Sequence, residues 1–178
     1  MSRIQVISND IASTEQQALF DAIKAELGVV PNFLRIFANS PVALSSFLGL
    51  YGVAKQGSLD LATRERIALA IAQQNSCEYC LSAHTTLGKN AGLSADEISA
   101  NRAGSSQDAK AAVAVRLARS LMENLGEITT AELIEARNAG FSESDIVEII
   151  THVGLNMLTN MIGKASRVEI DFPKVTLA

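Results

Sequence analysis

The chain has 178 residues, enough for one domain with a sizeable buried core, and 48% of them are hydrophobic. A formal net charge of -4, with no dense run of Lys or Arg, excludes a protein that tracks a nucleic-acid backbone. The aromatic share is only 4%, without Trp, while Ala and Leu abound, which points to an all-α protein of closely packed helices.

The opening residues Met1-Ser2-Arg3-Ile4-Gln5 lack the apolar core of a secretory leader, and no stretch reads as the ~18 apolar residues of a membrane span. The expectation is a cytoplasmic protein with no membrane partner. In that reducing compartment the two cysteines, only three residues apart, are catalytic or metal-binding rather than a permanent staple.

Ser13 or Thr14 caps a first helix running to about Leu27, stopped by Gly28. Pro31 opens a short second helix to Ala38, and Ser40-Pro41 starts a third that reaches about Lys55. Thr63 then caps a segment whose interior, Ile67 to Ala72, is apolar all round and therefore buried on most sides. Polar Gln73-Gln74-Asn75-Ser76 breaks it, and a helix from Ser76 to about Asn90 carries Cys77, Cys80 and His84. At 100° per residue these three side chains fall within an arc of about 60°.

Ala91-Gly92-Leu93-Ser94 leads into a further short helix, followed by helices over Gln107 to Asn124 and Thr130 to Asn138. Asn138-Ala139-Gly140-Phe141-Ser142 then echoes Asn90-Ala91-Gly92-Leu93-Ser94, 138 minus 90 or 48 residues on, which reads as a duplicated helical unit. The second copy has Leu125 and Ile128 where the first has its cysteines, so one half alone carries the chemistry. The last helix, Ser142 to Lys164, is the largest contributor to the core and holds His152, Asn156 and Asn160 on one stripe. That stripe serves structural or subunit contacts, or else lines a pocket. No strand pattern appears.

A short link between the fourth and fifth helices makes an antiparallel hairpin, which brings Glu65 and His84 face to face, directly or through one water. Ala68 and Ala72 share the Glu65 face and allow close approach. The bland partners for Glu65 are its neighbours Arg64 and Arg66. A free thiol is only about 3% thiolate at pH 7, so a nucleophile needs help. A helix N-terminus favours Cys77 by about 0.3–1 kcal/mol, whereas a charge partner such as His84, one turn from Cys80, is worth about 1.4–4 kcal/mol. Cys80 is therefore read as the attacking thiol and Cys77 as the resolving one.

Glu65, eleven intervening residues, Cys77-x-Tyr79-Cys80, three more and His84 resemble the signature of the AhpD-like alkylhydroperoxidases of the carboxymuconolactone decarboxylase superfamily. Gly28-Val29-Val30-Pro31-Asn32 and Ser40-Pro41 resemble its peroxidase-related branch, and the likeness spans about residues 25 to 165. The resemblance implies an AhpD-like helical fold with an internal repeat, assembled as a homotrimer or homohexamer. It implies reduction of an organic hydroperoxide in which Cys80 attacks, Cys77 closes the disulfide, His84 is the base and Glu65 orients it. It implies no bound cofactor, only an external dithiol reductant such as a lipoyl-bearing protein. The chain departs from the best-studied members in carrying Tyr79 where they place a second histidine, and a tyrosine is a poor base near neutral pH.

Three other readings compete. Cys77, Cys80, His84 and His152 make up a Cys2His2 zinc inventory, but three ligands from under three turns of one helix do not converge on a tetrahedral ion. A decarboxylase of the same superfamily does not require the paired thiols. A helical redox sensor would react once, where an enzyme cycles.

Overall fold

The computed structural model describes residues 2–177. Among them are nine helices and no strand: α1 (Thr14–Leu27), α2 (Asn32–Phe37), α3 (Pro41–Ala54), α4 (Leu61–Gln74), α5 (Glu78–Asn90), α6 (Ala95–Arg102), α7 (Ala109–Glu123), α8 (Thr130–Asn138) and α9 (Glu143–Ser166). The helix starts are written in side chains. Ser13, Ser40, Asp60, Ser94, Asp108, Thr129 and Ser142 each cap a helix by accepting a hydrogen bond from a backbone N–H of its first turn. Each cap is worth about 1 kcal/mol.

Three starts differ from the sequence expectation, the simplest being α7, which begins at Ala109 after its Asp108 cap rather than at Gln107. Asp60, not Thr63, caps α4, because its carboxylate accepts from both the backbone N–H and the hydroxyl of Thr63. The thiol-bearing helix begins after Cys77, not at Ser76, for a reason that lies in the preceding turn.

That turn recurs through the chain. At the end of α4 the Cys77 N–H donates to the Ala72 carbonyl and the Ser76 N–H to the Gln73 carbonyl, with Ser76 left-handed at φ 53°. This pair of bonds satisfies the last orphan carbonyls of a helix. The same pair closes α5 through Gly92, α6 through Gly104 and α8 through Gly140. At the end of α7 the Gly126 N–H reaches the Leu121 carbonyl, with Leu125 left-handed at φ 53°. The series α4, left-handed turn, α5, Gly92, Ser94-capped α6 is thus repeated as α7, left-handed turn, α8, Gly140, Ser142-capped α9. The turn pairs Cys77 with Gly126 rather than with Leu125, one residue off the register read from Asn90 and Asn138.

The hub is α4, which packs against α5, α6, α7 and α9 and buries Ile67, Leu69, Ile71 and their alanine neighbours almost completely. Each fully buried large aliphatic side chain contributes about 1.5–3 kcal/mol. α9 passes the length and mean hydropathy of a membrane-crossing helix, against the sequence expectation that none would. It packs against α2, α3, α4, α5 and α7, burying Ile149, Val153, Leu155 and Asn160, and so acts as the second core helix. Beyond α9 the chain folds back over α5 and α2. Phe172, Val175 and Leu177 join the cluster that contains both cysteines, and the Val175 N–H donates to Ser82 Oγ at 3.0 Å.

Candidate active site

The bonds that close α4 deliver Cys77 directly into the N-cap position of α5, where its Sγ accepts from the Cys80 N–H at 3.3 Å. A residue that ends one helix and starts the next has little freedom, so the first cysteine is held by backbone on both sides. Cys77 and Cys80 are joined as a disulfide, with their Cα atoms 5.3 Å apart. Their environments are not equivalent: Cys80 borders a cavity of about 370 Å3, whereas Cys77 lies behind it at 1% exposure and forms no part of the wall.

α9 closes the opposite side of the sulfur pair. A Cβ at Gly163 would sit 3.0 Å from Cys77 Sγ and 3.4 Å from Cys80 Sγ, so any larger residue would have to push the sulfurs or the helix back by a few tenths of an ångström. Cys80 Sγ also lies 3.9 Å from the Thr159 carbonyl. In the disulfide that sulfur has no proton to donate; in the reduced protein the same spacing suits a weak S–H hydrogen bond.

Glu65 and His84 meet directly across the α4–α5 hairpin, His84 Nδ1 lying 2.9 Å from Glu65 Oε2. Glu65 is buried and His84 is about one-fifth exposed through its side chain. The carboxylate holds the Nδ1 proton and so leaves Nε2 as the basic nitrogen in the cavity wall. The adjacent arginines are otherwise engaged: Arg66 pairs with Glu97 at 2.7 Å, and Arg64 donates to the Lys55 carbonyl at 2.8 Å. Cys80 and His84 lie one turn apart on α5 and line the same cavity.

Tyr79 is committed elsewhere. Its hydroxyl donates to Asp171 Oδ1 at 2.7 Å and accepts from the Phe33 N–H at 3.3 Å, while its ring sits between those of Phe33 and Phe172. Burial, reinforced by the Asp171 hydrogen bond, pushes its ionisation far above the ordinary phenol range. The residue between the cysteines thus fastens the C-terminal segment and shapes the cavity wall; it has no free proton-transfer group.

His152 and Asn156 line the cavity, buried, while Asn160 lies deeper and accepts from Asn75 Nδ2 at 3.1 Å. Burial, with the nearby Arg64 charge second, lowers the His152 pKa and keeps the ring neutral. The zinc inventory does not assemble: among the described residues no group of three or more His, Cys, Asp or Glu side chains is placed to hold an ion. Sequence reasoning passed over Gly163, Thr159 and Asp171, and weighed Arg64 only as a partner for Glu65. Of these only Gly163, a glycine inside a long helix, carried a signal of close approach.

The family model of carboxymuconolactone decarboxylase matches residues 41–123, a segment that contains Glu65, Cys77, Cys80 and His84. A peroxidase-related protein from Silicibacter sp. TM1040 is 25% identical, with a TM-score of 0.80 over 94% of this chain and 89% of that one. Over residues 41–123 the chain is thus similar to the carboxymuconolactone decarboxylase family, on a fold shared with AhpD-like peroxidase-related proteins.

The AhpD-like fold is shared further. An alkylhydroperoxidase AhpD core protein from Ralstonia eutropha JMP134, described as peroxidase-related, superimposes with a TM-score of 0.82 at 20% identity, covering 97% of this chain and 92% of that one. The debrominase Bmp8, in complex with 2,3,4-tribromopyrrole, does so with a TM-score of 0.78 at 15% identity, covering 96% and 92%. No curated protein matches the sequence.

Proposed function

We propose that this AhpD-like protein is a thiol-dependent peroxidase that reduces organic hydroperoxides. The observation that carries this reading is a redox-competent cysteine pair with one sulfur at the cavity and the other behind it, beside a histidine held by a buried carboxylate. In the reduced protein His84 Nε2 takes the Cys80 proton, and the thiolate attacks the terminal peroxide oxygen. The O–O bond breaks, Cys80 becomes a sulfenic acid, and the alkoxide leaves as the alcohol with the proton returned by His84. Cys77 then displaces hydroxide, which leaves as water, and the disulfide forms. An external dithiol, such as a lipoyl-bearing protein, restores both thiols by exchange.

Glu65 orients His84 and compensates the imidazolium that forms transiently. The exposed apolar side chains of α3 and α9, among them Val42, Val53, Val147 and Met161, support assembly with further copies of the chain, as a trimer or a hexamer. The test is steady-state consumption of cumene hydroperoxide with dihydrolipoamide. Wild type cycles, Cys80→Ser and His84→Ala do not. Equal consumption by all three removes the reading, and a single stoichiometric turnover by wild type makes the protein a sensor instead.

A further inference from the structure

The wall of the cavity beside Cys80 holds two cations that the redox chemistry does not use, Lys55 and Arg64. Arg64, in the first turn of α4, lines the wall next to Glu65. Its Nη1 donates to the Lys55 carbonyl at 2.8 Å, while its buried Nε has no hydrogen-bond partner. In an arginine, Nε and Nη2 form one edge of the guanidinium fork, and that edge matches the two oxygens of a carboxylate. Here Nε is unpaired but almost without exposed surface, so a carboxylate reaches this edge once the guanidinium turns toward the cavity. A donor buried without an acceptor is a cost to the fold until one arrives.

The other charges in the wall already have partners. Glu26 pairs with Lys55 at 2.6 Å and Glu65 with His84 at 2.9 Å, and His152 is held neutral by burial. Among the described residues no carboxylate lies within ion-pair distance of Arg64. A single unmatched positive charge in a wall that also carries Glu26 and Glu65 admits a monoanion and disfavours a phosphate dianion. The remaining wall is mostly apolar, with Thr86, Asn90, Asn156 and Thr159 as polar members, and at its rim Leu27, Val29, Leu61 and Leu87 are exposed. Large apolar side chains facing solvent at the mouth of a cavity suit a ligand with a hydrocarbon body.

We propose that Arg64 is the anion-recognition residue of this cavity, and that the ligand is an amphipathic carboxylic acid whose hydrocarbon chain lies along the apolar wall. Under the peroxidase reading, on which this last step rests, the substrate is a carboxylate-bearing hydroperoxide such as a fatty-acid hydroperoxide. Arg64 fixes the head group and the peroxide reaches Cys80.

Two measurements on the full-length protein separate the anion site from the peroxidase chemistry. In the first, binding of linoleate and of methyl linoleate is followed by calorimetry on wild type, Arg64→Lys and Arg64→Gln, each checked for an intact thermal transition. In the second, kcat/KM is compared for linoleic acid hydroperoxide and its methyl ester. Wild type is expected to favour the acid over the ester by about 10- to 100-fold in both measurements. Arg64→Gln should abolish the preference and Arg64→Lys should keep part of it. Equal handling of acid and ester by wild type, or a preference that survives in Arg64→Gln, overturns the proposal. The wild-type ratio alone decides the matter if the Gln variant does not fold. Arg64-dependent binding of linoleate without turnover of any hydroperoxide supports the anion site and defeats the peroxidase reading. Turnover of cumene hydroperoxide without binding of linoleate does the reverse.

Discussion

Glu65 and His84 come from different helices, nineteen residues apart in sequence, yet join directly at 2.9 Å with no room needed for a bridging water. The pair is possible because Ala68 and Ala72, on the same face of α4 as Glu65, let α5 approach. A buried carboxylate requires such a partner, and His84 requires the carboxylate to keep its Nε2 basic and correctly aimed.

The first prediction follows from that division of labour. Glu65→Gln retains the shape but weakens the hold on the imidazole, so kcat/KM for hydroperoxide should fall by about 10- to 100-fold. His84→Ala should cost more in rate and, by stranding the Glu65 carboxylate, about 1–3 kcal/mol in stability. A double-mutant cycle on unfolding free energy measures the coupling. Additive losses would mean that the pair does not act as a unit.

Two glycines of α9 should respond in opposite ways to the same substitution. A methyl group at Gly163 meets both sulfurs at 3.0–3.4 Å, whereas one at Gly154 meets nothing within 4 Å. Gly163→Ala should therefore cost about 1–3 kcal/mol by overpacking, a fall in Tm of roughly 2–12 °C. Gly154→Ala should gain about 0.5–1 kcal/mol from helix propensity. Thermal unfolding of the two variants, oxidised and reduced, checks both signs.

Acid should weaken the fold in two windows. Burial alone would raise Glu97, but hydrogen bonds from Ser106, Asn101, the Gln107 N–H and Arg66 prevail and bring its pKa to about 2 from an ordinary 4.5. A depressed carboxylate contributes stability that is complete above the unfolded value and is lost as pH falls from about 4.5 towards 2. That contribution is about 3 kcal/mol. The buried, neutral His152 acts at higher pH: the unfolded chain binds a proton near 6.5 that the folded chain resists, so its share of stability is complete above 6.5 and declines below it. Urea unfolding between pH 8 and 3 should show both declines. Glu97→Gln should flatten the lower one and His152→Gln the upper one.

Most of the helical frame was legible because its signals are local. Ser, Thr and Asp caps, Gly92 and Gly140 at left-handed turns, and the all-apolar run of α4 each act within a few residues. The exception is instructive. Ser76 takes a left-handed conformation that nothing in its own chemistry demands, so Cys77 was read as first-turn residue when it is the cap itself. The spacing of Glu65, Cys77, Cys80 and His84 was enough to foresee one hairpin, since a short link permits little else. Contacts that depend on distant chain segments left little trace: the Tyr79 hydroxyl on Asp171 had no signal, Gly163 over the sulfurs showed only as a glycine inside a helix, and His152 at the cavity was one of two readings of its stripe. Their partners lie some 70 to 90 residues away and are chosen by the packing of the whole chain.

The asymmetry between the two sulfurs is the centre of the account, and sulfenic-acid trapping tests it most directly. Cys77→Ser and Cys80→Ser proteins, reduced and then given substoichiometric cumene hydroperoxide with dimedone, are mapped by peptide mass spectrometry. The geometry predicts a dimedone adduct on Cys80 in the Cys77→Ser protein and none on Cys77 in the Cys80→Ser protein. An adduct on Cys77 in Cys80→Ser, with Cys80 unmodified in Cys77→Ser, would contradict it.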